Sequence, residues 1–117
     1  MITRVVIVEF HPHVTPALVA EFRGWLEDVA ARTPGLTRMV CGPHEPAASD
    51  PVLSANAPDA VFGQFMSIWE FSDEAALEDY LTSPYHREFA ATRFPKVVRR
   101  RYLANITPIA PAMPITS

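Results

Sequence analysis

The sequence predicts an α+β domain in which a four-stranded antiparallel sheet carries helices on one face. Three features of the 117 residues predict it. Strand-like and helix-like patterns follow one another as strand, helix, strand, strand, helix pair, strand. The strands of the first and third strand segments are apolar on both alternating sides. Each long helix opens on a capping residue and carries a single apolar stripe. A chain of this length supports one core and no more.

Ile2 to Phe10 places Ile2, Val6, Val8 and Phe10 on one side and Val5 and Ile7 on the other, the signature of a strand buried on two faces. His11-Pro-His-Val makes a turn. Thr15 is an N-cap and Pro16 the first helical residue. The helix that follows runs to about Arg32, with Leu18, Phe22, Trp25, Leu26 and Val29 in one stripe. Thr33-Pro-Gly35 ends it, and Leu36 to about Gly42 forms a second strand. From 43 to 60 the composition turns to Pro, Ala, Ser, Asn and Asp, and Pro43, Pro46, Pro51 and Pro58 exclude regular structure, so 43–60 is a loop insertion. Val61 to Phe71 is the strongest strand, with Val61, Phe65, Trp69 and Phe71 facing one way and Phe62, Met66 and Ile68 the other. Ser72 is the expected cap of the next helix, with Leu77, Tyr80 and Leu81 turned inward. Ser83-Pro84 breaks that helix, and a short one from Pro84 to about Phe94 carries Phe89 on its apolar side. Val97 to Ile106 is the last strand. Residues 1–107 make the domain and 108–117 an extended tail.

Two split βαβ units in this order give the ferredoxin-like βαββαβ sheet. Helices cover only one of its faces, so the other would expose a large apolar patch. A second copy packed face to face removes it, and the expected assembly is a homodimer, a dimeric α+β barrel with a cavity between sheet and helices.

The formal charge of -3 provides no cationic field for nucleic acid. One cysteine, Cys41, cannot form an internal disulfide. Arg4 and Glu9 interrupt the apolar N-terminus, which is no signal peptide, and no stretch is long enough to span a membrane, so the cytoplasm is the expected location. No glycine-rich nucleotide loop occurs, and no cofactor is expected.

The opening Met1 to Phe10, the Thr33-Pro-Gly35 helix end, and above all Trp69-Glu-Phe-Ser-Asp-Glu-Ala-Ala-Leu-Glu-Asp-Tyr80 with Ser83-Pro-Tyr-His86 resemble the stress-responsive A/B-barrel (Dabb) family over most of residues 1–107. Its plant polyketide cyclases, of the olivetolic acid cyclase type, use a Tyr and a His for an intramolecular aldol condensation. The resemblance implies those roles for Tyr80 and His86. Those cyclases carry a histidine at the position of Arg4, so the resemblance does not extend to their polyketide substrate.

A neutral imidazole can remove a proton next to a carbonyl, and a phenol can donate to the developing enolate oxygen. His86 as base and Tyr80 as oxyanion donor fit that chemistry. The same residues also fit a half-buried helix tyrosine and a histidine bonded to backbone. Arg4, on an otherwise apolar strand side, is read either as an ion pair at the sheet edge or dimer seam, with Glu70 on a neighbouring strand as a candidate partner, or as a clamp for a carboxylate or enolate. Phe65, Trp69 and Phe89 are candidate walls of the substrate cavity. His11, His13 and His44 are read as solvated rather than metal-binding, and Arg99 to Arg101 as a solvated edge. The leading expectation is a cofactor-independent enzyme acting by proton transfer on a small, largely apolar carbonyl compound, through cyclisation, isomerisation or cleavage. The alternatives are a non-catalytic stress or ligand-binding barrel and a cofactor-free quinol monooxygenase.

Overall fold

The computed structural model describes residues 1–44 and 64–106. Its elements are β1 (Ile2–Phe10), α1 (Pro16–Ala31), β2 (Leu36–Pro43), β3 (Phe65–Phe71), α2 (Glu74–Thr82), α3 (Pro84–Glu88), a π-helical turn (Phe89–Arg93), α4 (Phe94–Val97) and β4 (Val98–Ile106). The four strands form one antiparallel sheet in the order β2-β3-β1-β4, the ferredoxin-like arrangement. Pro43 is the last residue of β2 and stands opposite Phe65, so the expected loop insertion begins after it rather than at it. Residues 45–60 of that loop, Val61, Phe62 and Gly63 of the expected strand, and the tail lie outside the described residues.

The helices pack on one face. Along β3 the side chains alternate without exception: Phe65, Ser67, Trp69 and Phe71 are buried beneath the helices, and Met66, Ile68 and Glu70 face the other way. Phe22, Leu26 and Val29 bring the stripe of α1 onto that surface. Phe22 is the hub, with ring centroids 5.8 Å from Phe10, 5.4 Å from Phe65 and 6.0 Å from Phe94.

Chain ends of the helices follow local chemistry. Thr15 caps α1 as expected, its hydroxyl accepting from the Leu18 N–H at 3.2 Å. Gly35, with φ of +82°, turns the chain from α1 into β2, and a Cβ there would come within 2.5 Å of the Ala76 Cβ on α2. Only glycine meets both the left-handed backbone and the close approach. The cap of α2 is Asp73, not Ser72: the Asp73 carboxylate accepts from the Ala76 N–H at 2.8 Å. Ser72 is held one residue earlier by its own N–H, which donates to the Gly35 carbonyl at 2.9 Å, and the helix starts after it.

The helix expected over 84–94 continues to Val97 with a wide turn inside it. Pro95 has no N–H for the carbonyl one turn back and its ring needs room there. The chain widens ahead of it, and the Phe94 N–H bonds the Phe89 carbonyl five residues back, the π-helical pattern.

The face that no described helix covers is apolar from edge to edge. The antiparallel register lines up Val40, Ile68, Val5 and Ala104 in one row and Met66, Ile7 and Tyr102 in the next. Val40, Tyr102 and Ile106 are about half exposed there, at 47%, 54% and 57%. Ion pairs flank these rows, Arg38 to Glu70 at 3.4 Å on one side and Arg100 to Glu9 on the other. No helix among the described residues is long and apolar enough to cross a membrane.

Candidate active site

Between the sheet and the helices lies a cavity of about 300 Å³. All six sequence-predicted site residues line it: Arg4, Phe65, Trp69, Tyr80, His86 and Phe89. Three segments place them. Strand alternation aims Arg4 from β1, and Phe65 and Trp69 from β3, towards the helices. The inward face of α2 carries Tyr80, and the backbone redirected at Ser83-Pro84 brings His86 back over it. The two rings meet with centroids 4.1 Å apart.

Tyr80 is 8% exposed and packs against Trp69 and Phe71 at centroid distances of 5.7 and 5.3 Å. Burial disfavours its phenolate and pushes its pKa up to about 12, against a smaller opposing pull from the Arg4 charge. It is therefore a proton donor at every physiological pH. Burial also disfavours the imidazolium of His86, and the Arg4 charge acts in the same direction, so its pKa lies below the ordinary 6.5. The imidazole is neutral at pH 7. Its Nδ1 is shielded and has no hydrogen-bond partner among the described residues, a cost that folded proteins seldom accept without a function for the atom.

The residues flanking His86 hold it in place. The Tyr85 hydroxyl donates to the Asp28 carboxylate of α1, and this bond, opposed by burial and assisted by Arg32, holds that carboxyl below its usual range. Arg93 sits among the rings of Phe89, Tyr85 and Trp25 at 5.2, 5.5 and 6.0 Å. These contacts tie α3 and the wide turn to α1, and the imidazole between them inherits the fixed position.

The expected Arg4–Glu70 pair does not form. Arg4 stands opposite Trp69, and directly opposed residues share a face, whereas Glu70 stands opposite Thr3 and points to the uncovered side. Glu70 pairs there with Arg38, and among the described residues Arg4 reaches Asn105 Oδ1 at 3.4 Å.

Several lining residues went unrecognised in the sequence, and two of them bear on the chemistry. Ser67, 3% exposed, accepts the Trp69 indole N–H at 2.8 Å and fixes that ring. Its inward position was readable from the alternation of β3, where it is the one polar residue on the buried side. Arg101, taken with its neighbours as part of a solvated edge, stands opposite the buried Val8 and so faces the cavity. Arg100, by contrast, pairs with Glu9 on the other face. His11 donates from Nε2 to the Pro95 carbonyl at 2.9 Å and stacks on His13, latching β1 to α4. Among the described residues no three His, Cys, Asp or Glu side chains converge.

Comparison with known proteins agrees with this architecture. The profile of the Stress responsive A/B Barrel Domain family matches residues 2–107. An Arabidopsis thaliana protein whose crystal structure was refined as an ensemble superposes with a TM-score of 0.75 at 16% identity, over 97% of this chain and 100% of that one. The hydroxynitrile lyase of Passiflora edulis superposes with a TM-score of 0.69 at 16% identity, over 97% and 96%. A dimeric ferredoxin-like protein of unknown function from Thermobifida fusca gives 0.68 at 19% identity, over 92% and 90%. No curated protein sequence matches the chain.

Proposed function

The chain belongs to the stress responsive A/B barrel domain family, and from that premise we propose that its cavity is the active site of a cofactor-independent enzyme. The reaction is proton transfer on a small, largely apolar carbonyl compound. His86 removes the proton next to the carbonyl. The C–H electron pair becomes a carbon–carbon π bond, and the carbonyl π electrons pass to oxygen, where the Tyr80 O–H donates. The enolate then closes on a second carbonyl or is reprotonated at carbon; in the cleavage direction His86 instead takes a β-hydroxyl proton, the O–H pair becomes the new carbonyl π bond, and the pair of the breaking carbon–carbon bond becomes the enolate that Tyr80 stabilises. The observation that carries this reading is the contact of a neutral imidazole with a protonated phenol on the wall of a 300 Å³ cavity. That one structure sharing the fold is a lyase supports it.

A non-catalytic ligand-binding barrel is the second reading, favoured by the packing of Tyr80 between Trp69 and Phe71. Solvent deuterium separates the two. The protein incubated in D₂O with small aryl alkyl ketones is expected to accelerate deuteration next to the carbonyl. Binding of those ketones with no acceleration would select the second reading, and consumption of dioxygen with a quinol would point to monooxygenase chemistry instead.

The working assembly in this reading is a homodimer joined through the uncovered sheet face. The apolar rows across all four strands support it, as does the dimeric state of the Thermobifida fusca structure. Sedimentation at micromolar concentration is expected to give twice the chain mass, and Ile68→Lys, in the middle of a row, to give monomer. A well-folded wild-type monomer would contradict the assembly.

A further inference from the structure

Among the described residues the charges around the cavity are of one sign: its walls include Arg4, Arg99 and Arg101 and no Asp or Glu, while the Arg100 side chain turns to the other face. The whole chain carries a formal charge of -3, so this is a local concentration and not the general character of the surface. Arg100 is neutralised by Glu9. Arg4 has no carboxylate partner among the described residues; it is part-buried, opposite Trp69 on one side and Asn105 on the other, whose Oδ1 accepts from it at 3.4 Å. A guanidinium does not shed its charge in a protein, and one neutral acceptor leaves most of its donors free for a ligand. Its fork of donors matches a carboxylate. Its charge reaches both Tyr80 and His86, so a group bound to it lies beside the acid–base pair.

We propose that the ligand of this cavity is an amphiphilic anion, a small carbonyl compound bearing a carboxylate, with the carboxylate held by Arg4 and the apolar body against Phe65, Trp69 and Phe89. This inference rests on the cavity being a ligand site and adds the class of ligand to the proton-transfer reading. Arg99 and Arg101 raise the potential further along the cavity and favour entry of anions over neutral analogues.

Phenylpyruvate and its neutral methyl ester form a matched pair of probes. Calorimetric titration at pH 7 is expected to show the acid binding at least tenfold tighter than the ester, with that margin shrinking in 0.5 M sodium chloride. In Arg4→Gln the margin is expected to vanish while the affinity for the ester stays within about twofold. Arg4→Lys, which keeps the charge, should retain most of it, and circular dichroism confirms that each variant is folded. Equal binding of acid and ester, survival of the margin in Arg4→Gln, or binding of neither probe at millimolar concentration would each overturn the proposal. Deuteration at the benzylic position is read in the same samples. Exchange of both probes without an acid preference leaves the proton-transfer reading standing and removes the anion site, whereas acid preference without exchange does the reverse.

Discussion

A His86→Gln variant is expected to lose about 10²- to 10⁴-fold of the wild-type rate of ketone deuteration, the usual contribution of a positioned general base, while its melting curve and ketone affinity stay close to wild type. Glutamine approximates the ring in size and polarity but cannot accept a proton at neutral pH. Tyr80→Phe, which removes only the hydroxyl, is expected to cost a further distinct factor of about 10²- to 10³-fold, in keeping with the loss of one oxyanion donor. The pH profile has a definite sign. The active form of His86 is neutral and its pKa is held below 6.5, so the wild-type rate is flat through neutrality and falls only as acid protonates the imidazole. Tyr80, pushed up to about 12, keeps its proton across the same range. Deuteration unchanged in His86→Gln would remove this residue from the chemistry.

Phe22→Ala is expected to destabilise the fold by about 3–5 kcal/mol, the range for truncating a fully buried aromatic. The side chain is 1% exposed and meets four rings, those of Phe10, Trp25, Phe65 and Phe94. These neighbours come from β1, α1, β3 and α4, so no single element can shift to fill the void. Phe22 also lines the cavity, so loss of its ring enlarges the site. Ketone affinity is expected to fall along with the urea midpoint. Phe22→Leu, which keeps most of the volume, should retain the greater part of both. A loss below about 1 kcal/mol in Phe22→Ala, measured by urea titration, would show that α1 is not seated as described.

Local patterns in the sequence announced most of this architecture, because the physics that shapes it is local. Alternation along β1 and β3 sorted their residues into the two faces that the structure shows, and the Thr15-Pro16 pair told where α1 begins. What escaped depends on contacts between segments distant in the chain. Ser72 and Asp73 are both good caps, and the choice falls to Asp73 only because the Ser72 N–H is taken by the Gly35 carbonyl of the preceding turn. The wide turn at Phe89–Arg93 answers Pro95, whose demand for space was visible although the response to it was not. Strand proximity made Glu70 a candidate partner for Arg4, but strand register decides facing, and register is set by pairing rather than by composition. The juxtaposition of Tyr80 and His86 was legible because the two lie six residues apart across the helix break at Ser83-Pro84, a local feature. The cationic lining was not, since it needs β1 and β4 side by side.

The most direct test is a nuclear magnetic resonance titration of the His86 imidazole, assigned by its disappearance in His86→Gln and followed with and without a small aryl ketone. A midpoint below 6.5 in the free protein, with ring signals that move when the ketone binds, is the expected result. A midpoint at or above 6.5, or signals indifferent to a ketone that demonstrably binds, would contradict the placement of a neutral base on the wall of a ligand cavity.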